Sequence, residues 1–392
     1  MGESFFYSDR VRERMVKGRG RLVSVDGGYG YFKVVIEGLR GEEELMESFL
    51  FPTLVMRGKV SEGEEGVILL SRDGRRVLGE FVVGVERESV ELRIDEFVLT
   101  DEFEALLFSI LGSALKDGER IFLGISLPLW KHIDIDRVEE CLRKRYRGKK
   151  KFLHKEAEER AEWKEIGIEV VDVVVYRQGI AGWWDRCISV ERKKRSVMGY
   201  LFSEDVETEN TVVCDIGWNT VDFFRLERRW DKRGGVRYVP FPLGKGCVSL
   251  GVSWVFEEIA KRLGIRAPLR DIEEYLIRVW LNKGKARDGS NGRIGREVES
   301  VFEECFTEFC KRILFEIRAG DGSLFSKISL GRKVFYLVGG GGILFKEFFE
   351  RELKDTGFDV EVGDIYANAR GFLKKILFTE VKRISLSSRE EK

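Results

Sequence analysis

The chain has 392 residues, which is enough for two domains that each bury a core. Apolar residues make up 43% of it, which excludes an intrinsically disordered chain. The 68 basic and 68 acidic side chains cancel, so the chain as a whole lacks the basic excess of a nucleic-acid-binding protein. The charged fraction of 35% and the single glutamine, Gln178, are typical of thermophilic proteins.

The first half of the chain reads as β-rich and then helical. Residues 1–20 are predicted to be a basic, partly helical extension. The predicted strands cover 21–26, 30–37, 50–56, 66–70, 76–85, 90–93, 121–127 and 169–176. The predicted helices cover 96–116 and 134–146, and a strongly basic stretch runs from Arg143 to Lys155.

The second half repeats this order after residues 185–210, a charged segment that we expect to be irregular and to form an insertion or linker. The predicted strands here lie within 211–226, 236–241 and 333–338. The predicted helices cover 249–263, 269–281, 296–318, 343–355 and 365–378. Strands that alternate with helices favour an α/β class with mixed sheets.

The six cysteines indicate free thiols in a reducing compartment, because none are in C-x-x-C spacing. With only His132 and His154 available, a structural zinc site is not expected. The N-terminal residues contain no apolar segment of signal-peptide length, and no later run is long enough to cross a bilayer. We therefore expect a soluble, cytoplasmic protein without a membrane partner.

Two short segments, DGGYGYFK from Asp26 and DIGWNTVD from Asp215, are similar to each other. Each places an aspartate at the end of a β-rich run, just before a tight turn and a second strand-like run. One such turn is a common hairpin. Two of them predict a duplicated domain with a site between the copies.

The first of these turns has the residue types of a phosphate site. Gly27, Gly28 and Gly30 permit close approach of backbone N–H groups to an anion. Asp26 is suited to a hydrated Mg²⁺, and Lys33 to a phosphate as a point charge. A glycine-rich hairpin with a surface lysine is the alternative interpretation.

The second turn adds the polar groups Asn219, Thr220 and Asp222, and hydroxyl and amide donors beside a backbone turn suit phosphate oxygens. A third segment, at 334–350, has a strand–GGGG–helix pattern that brings backbone close to a flat or anionic group. Each segment alone has a plain packing explanation, but the three together favour a nucleotide site. The chain contains no G-x-x-x-x-G-K-[ST], G-x-G-x-x-G or G-x-S-x-G, which argues against a P-loop, a Rossmann site and a hydrolase elbow.

These segments resemble the motifs of the actin-like ATPase superfamily. DGGYGYFK is similar to its phosphate-1 motif, DIGWNTVD to its phosphate-2 motif, and LVGGGGILF to its adenosine motif. The segments FLGISLPLW, VVVYRQGIAG and DIYANARGFLK resemble the ParM/StbA-like plasmid-segregation actins and their archaeal actin-like relatives. The charged 185–210 segment and Trp218, where a small residue is common, depart from the pattern.

The resemblance implies the actin-like (ribonuclease H-like) duplicated α/β fold, with two domains around a nucleotide cleft. Domain I would cover 21–185 and be rejoined by a C-terminal helix at 365–380. Domain II would cover 211–364, with a helical subdomain at about 265–330, and residues 186–210 would link the two domains.

The resemblance also implies ATP or ADP with Mg²⁺ as the cofactor, with GTP as a possible substitute. Asp26 would organise the Mg²⁺ through water, Asp215 would lie on the opposite wall, and Gln178 would orient the attacking water. A neutral amide positions water but is no strong base, so hydrolysis would be slow. The implied phosphate-binding residues are Gly27, Gly28, Tyr29, Gly30, Lys33, Gly217, Trp218, Asn219 and Thr220. The implied adenosine-binding residues are Gly339, Gly340, Gly341, Gly342, Glu257 and Lys261.

By this resemblance the chain would form nucleotide-dependent filaments with copies of itself, in plasmid or DNA segregation or in a prokaryotic cytoskeleton, and ATP hydrolysis would destabilise the polymer. The basic stretches 143–155 and 192–195 lack interleaved aromatics, so we expect no direct nucleic acid contact and an adaptor protein instead. A sugar- or acetate-type kinase on the same fold is the alternative, although it would need a carboxylate base where the resemblance places Gln178. An Hsp70-like switch module is a third possibility, disfavoured because we see no peptide-binding C-terminal domain.

Overall fold

The computed structural model is a mixed α/β protein that divides into two compact units. The first unit comprises Met1–Val206 and Ile365–Lys392, and the second comprises Glu207–Asp364. The residues that the structure describes are 20–38, 46–71, 74–84, 94–129, 134–158, 160–193, 197–203, 209–230, 236–266, 272–273, 292–325 and 331–390. The predicted extension at 1–20 (apart from Gly20), the predicted strand at 90–93 and most of the predicted helix at 269–281 lie outside them.

The first unit is built on a nine-stranded mixed sheet in the order β3-β2-β1-β7-β9-β8-β5-β6-β4. Its strands are β1 (Arg21–Gly27), β2 (Tyr31–Glu37), β3 (Met46–Pro52), β4 (Val55–Arg57), β5 (Glu65–Leu70), β6 (Val77–Val83), β7 (Arg120–Leu127), β8 (Gly148–Lys155) and β9 (Lys164–Arg177). Strands β1, β7 and β9 are parallel neighbours. Their carboxyl ends therefore meet at one edge of the sheet, where ligands of α/β proteins commonly bind.

Helices cover both faces of this sheet. The first unit contains α1 (Ile94–Phe97), α2 (Asp101–Ala114), α3 (Ile135–Tyr146), α4 (Ile180–Cys187) and α8 (Ala367–Glu390). The second unit contains α5 (Val252–Leu263), α6 (Gly292–Gly320) and α7 (Gly342–Leu353). On one face, Phe103 of α2 packs edge-on against Phe32, with ring centroids 4.9 Å apart. On the other face, Phe372 of α8 stacks on Tyr176 at 4.3 Å, next to Gly124, where any side chain would clash with the phenylalanine ring.

Two segments of the first unit differ from the sequence prediction. The basic stretch after Tyr146 is strand β8, with Phe152 stacked on Phe108 at 4.6 Å. The expectation of an irregular segment at 185–210 is wrong for residues 185–193 and 197–202. A helix continues to Cys187, and β10 (Ile188–Lys193) and β11 (Val197–Phe202) then pair in antiparallel orientation. Strand β8 is hard to recognise because four of its eight residues are lysines, so charge dominates its composition.

The second unit has a five-stranded sheet in the order β14-β13-β12-β15-β16. Its strands are β12 (Asn210–Ile216), β13 (Val221–Trp230), β14 (Val236–Val248), β15 (Lys333–Val338) and β16 (Phe358–Val362). The short strand β16 was not predicted. Helices α5, α6 and α7 pack on this sheet through a phenylalanine-rich core, in which Phe306 stacks on Phe345 at 4.7 Å.

The similarity of the two turns is reflected in local topology. Strand β1 pairs with β2 as an antiparallel hairpin and with β7 in parallel, and β12 pairs in the same way with β13 and β15. Within the part of the chain that is described, no helix has both the length and the apolar composition to cross a bilayer. The predicted boundaries of domains I and II, the 186–210 linker and the 265–330 subdomain stay predictions.

Candidate functional site

A buried carboxylate, Asp26, lies where three parallel strands end. It is the penultimate residue of β1, and only 2% of it is exposed. Ser126 near the end of β7 and Gln178 just after β9 both contact it. The sheet order β1-β7-β9 brings the three side chains together, although they are widely separated in the sequence.

Three donors converge on the Asp26 carboxylate. Its Oδ2 accepts a 3.0 Å hydrogen bond from Lys33 Nζ, because Asp26 and Lys33 are register partners in the β1–β2 hairpin. Its Oδ1 accepts hydrogen bonds from Ser126 Oγ at 2.9 Å and from Gln178 Nε2 at 2.7 Å. Lys33 is also buried, so the pair satisfies two charges that would be costly if either were alone.

The contacts of Gln178 determine which way its amide faces. Nε2 donates both to Asp26 Oδ1 and to Ser126 Oγ, the latter at 2.9 Å. An ionised carboxylate only accepts hydrogen bonds, so the nitrogen must face it. The carbonyl Oε1 is then the atom of this amide that can accept a hydrogen bond from a ligand.

The glycine turn after Asp26 is held from strand β3 and the segment that follows it. Thr53 Oγ1 donates to the Gly28 carbonyl at 2.6 Å, and Thr53 N donates to the Gly30 carbonyl at 3.1 Å. Tyr29 is stacked on Phe97 with ring centroids 6.5 Å apart, so its ring is engaged by the core of the unit. A Cβ on Gly28 would lie 3.8 Å from Lys33 Nζ, which places the lysine ammonium beside the turn.

In the second unit, the other turn begins after Asp215. Gly217 N donates to Thr220 O at 2.9 Å and closes the hairpin. Asp215 and Asp222 are cross-strand register partners, and both are buried. Burial raises the pKa of the neighbouring Cys214 thiol well above its usual range, and the charges of the two aspartates raise it further. The turn therefore combines a backbone bend with concentrated negative charge.

Helix α5 supports this turn. Val252 N donates to Gly217 O at 3.1 Å, and Ser253 N donates to Trp218 O at 2.9 Å. Ser253 Oγ donates to Asn219 Oδ1 at 3.2 Å, while the Trp218 ring lies 6.0 Å from that of Phe256 and packs on the core. Carbonyl oxygens of the turn thus accept hydrogen bonds from the first N–H groups of the helix. The Trp218 ring has a packing role.

The tetraglycine segment lies against the Asp215 turn. Gly341 N donates to Ile216 O at 3.0 Å. Gly339 has a left-handed φ of 80°, and a Cβ there would lie 2.4 Å from Asp215 Oδ1. Gly340 is exposed, and a Cβ added to it would have no neighbour within 4 Å. The segment thus meets Asp215 and Ile216, all in the second unit.

The two residues predicted for the base and ribose lie on α5. Glu257 and Lys261 are both exposed, one helical turn apart. Lys261 Nζ lies 3.6 Å from Glu258. Their geometry neither supports nor opposes an adenosine role, which stays a prediction.

Comparison with known proteins identifies the fold. Residues 24–180 match the family described as Actin like proteins N terminal domain. The structure is similar to the crystal structure of the actin-like protein Alp7A, with a TM-score of 0.63 and 15% identity over 94% of this chain and 99% of that one. The chain has an actin-like fold. The resemblance expected from the motifs is confirmed at the level of the fold.

Two further structures share this actin-like fold. Ta0583, an archaeal actin homolog, gives a TM-score of 0.59 and 17% identity over 90% of this chain and 98% of that one. Bacillus thuringiensis ParM with AMPPNP gives a TM-score of 0.57 and 14% identity over 93% of this chain and 100% of that one. No curated protein sequence matches the chain significantly.

Sequence reasoning missed two residues, Ser126 and Tyr176, of the cluster around Asp26 at the ends of β1, β7 and β9. Tyr176 OH donates to Val25 O at 2.9 Å and accepts from Ser24 Oγ at 3.1 Å. Burial raises the pKa of Tyr176 well above its usual range, and the Asp26 charge raises it further. Ser126 and Tyr176 lie in the segments FLGISLPLW and VVVYRQGIAG, so the motifs marked their neighbourhood but not their contacts.

Proposed function

We propose that this protein binds ATP with Mg²⁺, hydrolyses it and forms filaments whose stability depends on the nucleotide. The observation that carries the proposal is the convergence of Lys33, Ser126 and Gln178 on the buried Asp26, at the carboxyl ends of the strands of an actin-like sheet. Beside a glycine turn, the ammonium suits the phosphate oxygens of a polyphosphate, and the carboxylate suits the hydrated metal that accompanies it. The amide oxygen can accept a hydrogen bond from a water molecule.

Related structures support the nucleotide. Bacillus thuringiensis ParM has been solved with AMPPNP, with ATP and with ADP. The polymer is supported by pCBH ParM, whose solved form is a non-polymerisable quadruple mutant. These statements concern those proteins, and their low identity to this chain makes the same activities a proposal here.

In the first unit, each residue of the cluster has a distinct role. Lys33 would exchange part of its contact with Asp26 for a phosphate oxygen, and the backbone of Gly27, Gly28, Tyr29 and Gly30 would line the phosphates. Asp26 would hold the waters of the Mg²⁺, which prefers to keep several of them. When bound, the metal would neutralise charge on the phosphates.

Gln178 would position the attacking water through Oε1, the atom left available by the contacts of Nε2. Because a neutral amide accepts a proton poorly, this arrangement orients the water without strong base catalysis. Slow hydrolysis would set how long each subunit keeps ATP, and so how long the filament stays stable.

In the second unit, the backbone of Gly217, Trp218, Asn219 and Thr220 would contact phosphate, and Asp215 would face the metal side. The adenosine would lie beside the backbone of Gly339, Gly340, Gly341 and Gly342. Its base and ribose would lie near Glu257 and Lys261. The proposed setting is the cytoplasm, in DNA segregation through an adaptor protein or in a cytoskeleton.

The hydrolysis proposal is tested with Gln178→Ala. We expect phosphate release to fall about tenfold or more, because the water loses its orienting group, while nucleotide affinity stays within about threefold. Lys346→Ala, at an exposed position of α7, is the control and is expected to behave as wild type. Unchanged turnover in Gln178→Ala would reject the assigned role.

The filament proposal is tested separately by high-speed sedimentation and electron microscopy with ATP, with ADP and without nucleotide. We expect sedimentation with ATP that declines as phosphate is released. Absence of polymer in every nucleotide at micromolar protein would overturn the filament proposal. Phosphate release that requires an added sugar or acetate would instead favour the kinase alternative.

A further inference from the structure

The segment DIYANARGFLK contacts the residues that follow Gln178. Asn368 lies in the first turn of α8 and is 2% exposed. Its Oδ1 accepts hydrogen bonds from Gly179 N at 2.9 Å and from Gly182 N at 3.1 Å. The side chain thus joins the C-terminal helix to the residue that follows Gln178.

The backbone at Gly179 requires external support. Gly179 has φ 68° and ψ −53°, and Ile180 N donates to Gln178 O at 2.7 Å. These angles and this bond are those of a γ-turn of the rare, strained form, which only glycine adopts readily. Strain of this kind persists only where the surroundings hold the conformation.

Helix α4 also lacks a cap of its own. Gly179 is its N-cap residue and has no side chain, so it offers no side-chain oxygen to the N–H groups of the first turn. A usual N-cap side chain accepts from the N–H three residues on, which here is Gly182. Asn368 performs this function from α8 and binds Gly179 N as well.

Helix α8 is docked firmly enough to make this contact specific. Asp185 of α4 accepts from Arg370 Nε at 2.7 Å and pairs with Lys374 Nζ at 2.8 Å. A Cβ on Gly371 would lie 1.8 Å from Ala181 O, so only glycine permits the close packing of the two helices. These contacts hold α8 against α4 and so fix the position of Asn368 beside the γ-turn.

We propose that Asn368 is a positioning residue for Gln178, so that the C-terminal helix sets the rate of hydrolysis. This inference rests on the proposed function. Gln178 N donates to Leu127 O at 2.9 Å and its carbonyl closes the γ-turn, so Gln178 is held by β7 before it and by the Asn368-supported turn after it. Loss of the cap lets the turn relax and moves the amide away from Asp26 and Ser126. A displacement of about 1 Å is enough to cost about a hundredfold in rate.

The test compares Asn368→Ala with Asn368→Asp. The alanine variant loses the acceptor, and we expect kcat for phosphate release to fall about tenfold or more with nucleotide affinity unchanged. The aspartate variant keeps an oxygen that accepts from both N–H groups, and we expect it to retain most of the wild-type rate. Wild-type turnover in Asn368→Ala, or an equal loss in both variants, would overturn the proposal.

Two controls separate positioning from stability. Lys375→Ala removes the contact of Lys375 Nζ with the Trp184 ring, 3.6 Å from the ring centroid, at the same α4–α8 interface without touching the cap, so we expect lower thermal stability and a normal rate. If the alanine variant does not fold, Asn368→Leu replaces it, because leucine has the same number and branching of side-chain heavy atoms without an acceptor. A Lys375→Ala rate as low as that of Asn368→Ala would show that interface stability alone sets turnover and would overturn the proposal.

Hydrogen exchange distinguishes failure of this inference from failure of the proposed function. The amides of Gly179 and Gly182 are expected to exchange faster in Asn368→Ala than in wild type, whether or not the protein hydrolyses nucleotide. Unchanged exchange would overturn the cap itself. Accelerated exchange in the variant, together with a wild-type protein that hydrolyses no nucleotide, would reject the proposed function and the rate effect that rests on it.

Discussion

The side-chain amide of Gln178 donates a 2.7 Å hydrogen bond to Asp26, which lies 152 positions earlier in the chain. The contact joins the only glutamine of the sequence to the carboxylate of the first glycine turn. Both residues were predicted to belong to one site, and within the first unit the parallel order of β1, β7 and β9 brings them together.

Asp26→Asn is expected to destabilise the protein by about 3 kcal/mol, because Lys33 would be left buried without its charged partner. The double variant Asp26→Asn/Lys33→Met is expected to lose less than the sum of the single variants, since it removes both charges. Urea unfolding measures the three free energies. Glu350→Gln breaks an exposed pair with Lys346 and serves as a near-neutral control. Additive losses would contradict the coupling.

Gly339→Ala is expected to cost about 1–3 kcal/mol, since Gly339 has a left-handed φ and its Cβ would meet Asp215 Oδ1 at 2.4 Å. The matched control is Gly340→Ala, where nothing lies within 4 Å of the added atom, and a change within about 0.5 kcal/mol is expected. Thermal unfolding of the two variants decides the matter. Equal stability would show that the tetraglycine segment is not packed as described.

Gly124→Ala is expected to cost about 1–3 kcal/mol by overpacking, because its Cβ would lie 2.1 Å from the Phe372 ring. Adding Phe372→Leu to this variant should recover part of the loss, since the smaller side chain leaves room for the methyl group. Gly322→Ala, at a position with no neighbour within 4 Å, is the control. If Phe372→Leu worsened Gly124→Ala by its full single-variant cost, the docking of α8 on this sheet would be wrong.

Burial of Cys305 predicts that the protein loses stability at alkaline pH. Cys305 is buried, and burial raises the pKa of its thiol from 9.0 to about 11. Folding therefore favours the protonated form, so this contribution to stability is complete below pH 9 and is lost as the pH rises toward 11. Cys305→Ala should weaken this pH dependence in urea unfolding between pH 8 and 11. An identical slope in both proteins would contradict the burial of this thiol.

Thiol labelling provides a further check at neutral pH. Cys187, Cys214, Cys305 and Cys310 are buried, whereas Cys141 and Cys247 are partly exposed. Burial also raises the pKa of Cys214 and Cys310 well above the usual range, which lowers their thiolate fraction. We expect mass spectrometry after brief iodoacetamide treatment to show alkylation at Cys141 and Cys247 first. Early labelling of Cys310 would indicate that the α6 packing is open.

Local patterns in the sequence were sufficient for the elements around both glycine turns. The hairpins after Asp26 and Asp215, strand β15 and helices α3, α5 and α7 all follow from short-range alternation, helical spacing and glycine placement. The turns were also recognisable as a repeated pattern, because each is encoded within about ten residues. The actin-like fold was therefore predictable from motifs in their order along the chain.

Only the tertiary structure decided which distant side chains complete the candidate site. Ser126, Tyr176 and Asn368 have no local signature, since their partners are supplied by sheet order and by the docking of α8 on α4. The basic segment became strand β8 because β5 and β9 both pair with it, which outweighs its charged composition. By itself the sequence determined the two aspartate–glycine turns, because turn chemistry is local. The hydrogen bonds that make the first of them a candidate site depend on long-range packing, which no short segment encodes.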